Sequence, residues 1–436
     1  MHNESESTLY TIVKIAHHVE RLLSVVKTAK DHLTMTMKLL TMLRKRIYVL
    51  IASAIVVFIF YKLLSSSVRD KHIPILRKVF ALGGNIVIYG PFVSQEYGTV
   101  QSDHSISLVT HTSLKNLYHL QMTLIVWQSP ISVAIWTHGD ITPLVELAHI
   151  LTGPCAGHQS ISIFIVVPTS VLHTVHINNI NYDQILYPTA TTCSQRSIHN
   201  RLYELRAQQP ELNYALSDLP YPNNYLRNIA LSRVTTSHSF VVDIDILPSL
   251  NLDEIFMNYA HNHPKIAKSR NSALVVPVFE SNHVRVNQWT MERLQKEIQA
   301  NQVRPFYVML CPQCQGPTQY TSWLERQKKD NDRAVDAHQV PYVPGWEPFI
   351  ILRTDSHPKY DERFKQFGYN RMSLICELYM SGATFHVLDR MFLIHDGLKV
   401  EEGFHAEKDK ELNNNANLYQ EFIQELTDKY KTKRRC

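Results

Sequence analysis

Asp243 and Asp245 stand two apart in the run Ser239-Phe240-Val241-Val242-Asp243-Ile244-Asp245-Ile246-Leu247-Pro248. On a strand, residues i and i+2 share a side. Two carboxylates that close repel each other unless a positive charge lies between them. Hard divalent cations take oxygen ligands of this kind. Pro248, shortly after the pair, marks the end of the strand and leaves the carboxylates at a sheet edge. The pair therefore reads as a site for a metal ion and a diphosphate. The competing reading is an aspartate pair in a turn.

The elements around the pair alternate. Ile106 to Thr110, Ile131 to Thr137, Ile161 to Val167, Phe240 to Ile244 and Ala273 to Phe279 read as strands. Leu114 to Gln128, Asn200 to Gln208, Tyr225 to Thr235 and Leu412 to Tyr430 read as helices. This pattern predicts an α/β sheet flanked by helices, with its ligand crevice at the carboxyl ends of strands. His261 and His263, before Pro264, read as loop residues rather than metal ligands.

The 436 residues carry a net charge of only +5, which argues against a nucleic-acid partner. The run from Ile47 to Leu64 is apolar except for Lys62, and Arg44, Lys45 and Arg46 precede it. It reads as a membrane anchor with residues 1–46 in the cytosol. Residues 65–103 then read as a stem and 104–436 as a folded domain on the far side of the membrane. In the tail, Ile12, Val19, Val26, Leu33 and Leu40 repeat every seven residues, with Ile15, Leu22, Ala29, Thr36 and Leu43 offset by three. This seam fits a coiled coil through which the chain forms homo- or hetero-oligomers, or an amphipathic helix on the membrane surface. All six cysteines follow the anchor, where disulfides form. Cys311-Pro312-Gln313-Cys314 has no second pair with which to complete a zinc site. The terminal Cys436 reads as unpaired.

Trp346-Glu347-Pro348-Phe349, Tyr360-Asp361-Glu362-Arg363-Phe364, Phe385-His386-Val387-Leu388-Asp389 and Phe392-Leu393-Ile394-His395 form ordered blocks. With Val241 to Asp245 and Leu226-Arg227-Asn228-Ile229-Ala230, they resemble glycosyltransferase family 49 from about Ser105 to Lys399. The resemblance implies a GT-A-type mixed sheet and an inverting, Mn2+-dependent enzyme using a UDP-sugar donor. It implies a type II protein of the Golgi membrane. The implied reaction moves glucuronic acid onto a xylose-terminated or related O-mannosyl glycan of a glycoprotein; the alternative is N-acetylglucosamine onto galactose. An inactive scaffold for another transferase is the reading from a different class. Carried onto this sequence, Asp243, Asp245 and His395 hold the metal, and Arg227 and Asn228 lie near the nucleotide. Trp346 stacks on the acceptor. Glu362, beside Asp361 at a helix start, is the first candidate for the base, and Glu347 is the alternative. Arg353 or Lys399 would meet the glucuronate carboxylate.

Overall fold

The structure, a computed structural model, describes residues 104–153, 160–175, 177, 194–208, 220–284, 289–328, 335–401 and 407–436, most of 78–98, and scattered positions from 19 to 51. The chain forms two compact units, Met1–Pro74 and Ile75–Cys436. In the first, the described positions are helical, and the seam residues Val19, Leu22, Val26, Leu40 and Leu43 are exposed. The 47–64 stretch lies almost wholly outside the described residues. Among those described, no helix is long and apolar enough to cross a membrane.

The second unit is mixed α/β. Its strands are β1 Lys78–Ala81, β2 Ile86–Val93, β3 Ile106–Ser113, β4 Ile131–Trp136, β5 Ile161–Pro168, β6 His238–Val241 and β7 Ile246–Pro248. They continue with β8 Ser272–Val276, β9 Val278–Ser281, β10 Arg304–Pro305, β11 Ala337–Val340, β12 Phe349–Arg353, β13 Thr384–Leu388 and β14 Leu393–Asp396. A ten-stranded sheet runs β1-β2-β5-β4-β3-β6-β12-β8-β13-β11, and a four-stranded sheet runs β10-β9-β14-β7. The stretch read as a stem therefore supplies two strands, with β2 pairing antiparallel to β5.

Alternate residues of the large sheet enter two separate cores. Leu108, Val133, Ile163, Phe240 and Leu274 join one, whereas Val109, Ala134, Phe164, Val241 and Val275 join the other. Successive strand side chains point to opposite faces, so both faces of the sheet are covered. The helix Asn223–Leu231 closes one face through Leu226, Ile229 and Ala230. The helices Thr142–Thr152 and Leu252–Asn262 close the other.

Two departures from the expected elements matter for the site. The run Ala273 to Phe279 is two strands, because Pro277 lacks the N–H a continuous ladder needs; β8 stays in the large sheet and β9 enters the small one. The strand at 240 likewise ends at Val241, so Asp243 and Asp245 lie in the turn between the sheets, where Ile246 N–H donates to the Asp243 carbonyl. Strand alternation therefore does not set their directions. His261 and His263 lie at the end of Leu252–Asn262, where His263 stacks on Tyr259.

Cys311 and Cys314 form a disulfide. Cys436 is not unpaired: it bonds Cys376 across a sequence separation of 60, tying the chain end to the helix Met372–Met380. A loop of that length restrains the unfolded chain by about 4 kcal/mol on the chain-entropy estimate. Cys155 and Cys193 lie outside the described residues.

Candidate active site

The turn between β6 and β7 carries two acidic centres with different partners. β14 runs antiparallel to β7 and sets His395 opposite Ile246, and Asp396 N–H donates to the Asp245 carbonyl at 2.9 Å. This register brings His395 Nε2 to 3.2 Å from Asp245 Oδ2. On the other side of the ring, His395 Nδ1 lies 2.6 Å from the Gly397 carbonyl. That carbonyl can only accept, so Nδ1 carries a proton and Nε2 is the ring nitrogen turned toward Asp245. Between that nitrogen and the carboxylate oxygen lies the place of a proton or of a metal cation. Burial opposes ionisation of Asp245, but His395 and Lys399 beside it hold the carboxyl well below the usual carboxylate range. Asp245 and His395 therefore fit a divalent cation with mixed oxygen and nitrogen preference, such as Mn2+. Among the described residues, no three His, Cys, Asp or Glu side chains converge into a ready-made cage, which leaves further coordination positions to a ligand.

Asp243, expected as a metal ligand beside Asp245, has two arginines on its carboxylate. Its Oδ1 accepts from Arg227 Nη2 at 3.1 Å, and its Oδ2 is held by Arg371 Nη2. Burial works against the charge, but Arg371 and Arg227 hold this carboxyl well below its ordinary range. Arg227 is buried on the helix Asn223–Leu231, and its Nη1 donates to Asn224 at 2.8 Å and to Asn370 at 2.7 Å. Within the protein it orders Asp243. Buried His111, on β3, completes the cluster: Nε2 is 3.7 Å from Asp243 Oδ1, and Nδ1 is 2.9 Å from the Tyr221 hydroxyl. Burial, helped by Arg227, pushes His111 down to about 3, so it is neutral.

The remaining candidates separate. Asn228 Nδ2 donates to the Tyr360 carbonyl and to Glu362 Oε1 at 2.9 and 2.8 Å, and its Oδ1 accepts from Tyr360 N–H. It clamps the 360–362 segment. Asp361 is bound to Arg363, which also grips Glu425. Asp361 and Glu362 lie in a turn, not at a helix start. Trp346 is fully buried with its ring edge-on to Phe385, so no sugar can stack on it. Glu347, next to it, lies in the fields of Arg371, Asp243 and Arg227. Burial pushes its carboxyl above the usual range, with Arg371 opposing. That environment suits a general base better than the ion-paired Asp361 or the clamped Glu362. Arg353 pairs with Asp355 and, being opposite His238 in the β12–β6 ladder, sits at the end of that ladder away from Asp243. Arg371, His111 and Tyr221 were missed because each is a lone residue whose partners are distant in sequence.

Glu280, on β9, shows how the His395 side is held. It is paired in register with His395, is fully buried, and accepts from Arg304 Nε at 2.5 Å and from the Tyr307 and Lys399 N–H groups at 3.3 Å each. Arg304→Ala leaves that charge without its counter-ion. The expected loss is about 3 kcal/mol of stability, read by denaturant unfolding, since backbone donors still satisfy part of the carboxylate.

The chain is a glycosyltransferase. The profile of the family described as "Glycosyl-transferase for dystroglycan" matches residues 105–431. The chain belongs to that family, glycosyltransferase family 49, as the sequence blocks led us to expect. It is similar to Beta-1,4-glucuronyltransferase 1 of Danio rerio, 33% identical over 368 residues that cover 82% of this chain and 83% of that protein. The Homo sapiens protein of the same name is 33% identical over 83% of this chain and 85% of its own length. A shorter match, 33% over 176 residues, covers 40% of this chain and 22% of Xylosyl- and glucuronyltransferase LARGE2s of Gallus gallus.

Proposed function

We propose that this protein transfers a glucuronosyl group, with inversion, from UDP-glucuronate to a hydroxyl of a glycoprotein glycan. The relatives named as glucuronyltransferases support the donor. The observation that carries the catalytic reading is the His395 ring, fixed by Gly397 so that its Nε2 faces Asp245 at 3.2 Å. In this reading the catalytic unit is a GT-A-type domain in the Golgi lumen, anchored through residues 47–64, and the exposed seam of the N-terminal segment joins copies or partners.

A divalent cation bound at Asp245 and His395 would offset the negative charge that develops on the departing diphosphate. Asp243, held by two arginines, keeps the turn that carries Asp245 in place. Glu347 takes the proton from the acceptor hydroxyl as its oxygen attacks C1 opposite the leaving UDP. Its raised pKa brings it closer to working pH, where proton transfer is most effective. Glu362 and Asn228 shape the neighbouring segment.

The test is transfer by the full chain with MnCl2 and a xylose-terminated glycan, offering UDP-glucuronate, UDP-N-acetylglucosamine and UDP-galactose separately. Product mass gaining one glucuronate, with loss of turnover in EDTA, is the expected result. Transfer from UDP-N-acetylglucosamine but not UDP-glucuronate overturns the donor assignment.

A further inference from the structure

Arg371 has chemistry beyond pairing with Asp243. Two guanidinium groups meet the single Asp243 carboxylate. Arg227 is the more committed: its two terminal nitrogens serve Asn224, Asn370 and Asp243, and its guanidinium carbon lies 5.3 Å from the Tyr360 ring centroid. Arg371 is different. It stands at the start of Met372–Met380 and uses one terminal nitrogen on Asp243. Its other N–H groups have no hydrogen-bond partner among the described residues. Its guanidinium carbon lies 3.7 Å from the centroid of the buried Phe349 ring, and the side chain is 12% exposed. Stacking of this kind fixes the plane of the fork while leaving its edge donors open.

Arg227 and Arg371 face both Asp243 and Glu347. Arg371 also lies between Asp243, on the turn that carries the cation site, and Glu347, the base. A transferred sugar must occupy that interval, because its C1 has to meet both the diphosphate and the attacking hydroxyl.

We infer that Arg371 reads the carboxylate of the donor sugar and sets the preference for a uronic acid over a neutral hexose. A planar guanidinium matches a carboxylate through two parallel N–H···O bonds, and a neutral hexose, which brings a hydroxymethyl group instead, leaves those donors unpaired. This inference rests on the donor assignment above and extends it.

Calorimetric titration of the full chain with MnCl2 compares UDP-glucuronate and UDP-glucose. Wild-type protein is expected to bind UDP-glucuronate about 10–100-fold more tightly, the range of a charged hydrogen-bonded contact. Arg371→Met should close most of that gap. Arg371→Lys, which keeps the charge but loses the fork, should close part of it and serves as the test if the methionine variant fails to fold. A wild-type preference that persists undiminished in the folded variant overturns the role of Arg371 while leaving the donor assignment intact. Absence of any wild-type preference for UDP-glucuronate removes the donor assignment and the inference with it.

Discussion

Asp245→Asn is expected to lower kcat/KM for transfer by about 10³-fold while the melting temperature stays close to that of the wild type. The substitution keeps the side chain's shape and the Asp396 N–H to Asp245 carbonyl bond, which belongs to the backbone. It removes the charge that, with His395, would hold a cation beside the diphosphate. Asp243→Asn should behave differently. It leaves buried Arg227 and the stacked Arg371 without their shared carboxylate, so a fall in melting temperature accompanies the loss of activity. Measuring both quantities for both variants separates the catalytic aspartate from the ordering one. Equal thermal destabilisation by the two substitutions would contradict the division of roles.

Glu347→Gln carries the second large effect, a fall in kcat of about 10²–10⁴-fold, the usual contribution of a positioned base. The pH profile supplies the readout that a structural role would not move. A carboxylate base works only when ionised, and burial raises the Glu347 pKa. Activity must therefore fall as pH drops through that raised value, with an acid limb above the range of an ordinary glutamate. The glutamine variant should lose that limb along with the rate. Glu362→Gln is expected to retain the limb, because Glu362 meets Asn228 rather than the arginine cluster.

What could be read ahead of the structure follows the range of each signal. Apolar runs such as Ile161 to Val167 and the helix reaching Tyr430 depend on local periodicity, and both formed as expected. The stretch before Ile106 did not read as strand because Gly90 and Pro91 look like a turn. They instead make a bulge within β2, where the register shifts between Tyr89 and Phe92 and Gly90 adopts φ +111°. Pro277 hid the division of one apolar run between two sheets for a similar reason. The family blocks singled out Asp243, Asp245 and His395, and the structure brings the last two together across 150 residues. They could not show that Arg371 would take the second oxygen of Asp243, since that contact spans 128 residues and needs the fold itself. Trp346 illustrates the opposite error: its position beside Glu347 suggested a sugar platform, but only burial could show that it packs against Phe385.

The central claim is that Asp245 and His395 form the cation site of this enzyme. Electron spin-echo measurements on Mn2+ bound to the full chain with UDP read directly whether a histidine nitrogen contacts the metal. A bound-nitrogen modulation in the wild type that disappears in His395→Ala is the predicted result. A wild-type spectrum without nitrogen coupling, or coupling that survives in His395→Ala, would contradict it.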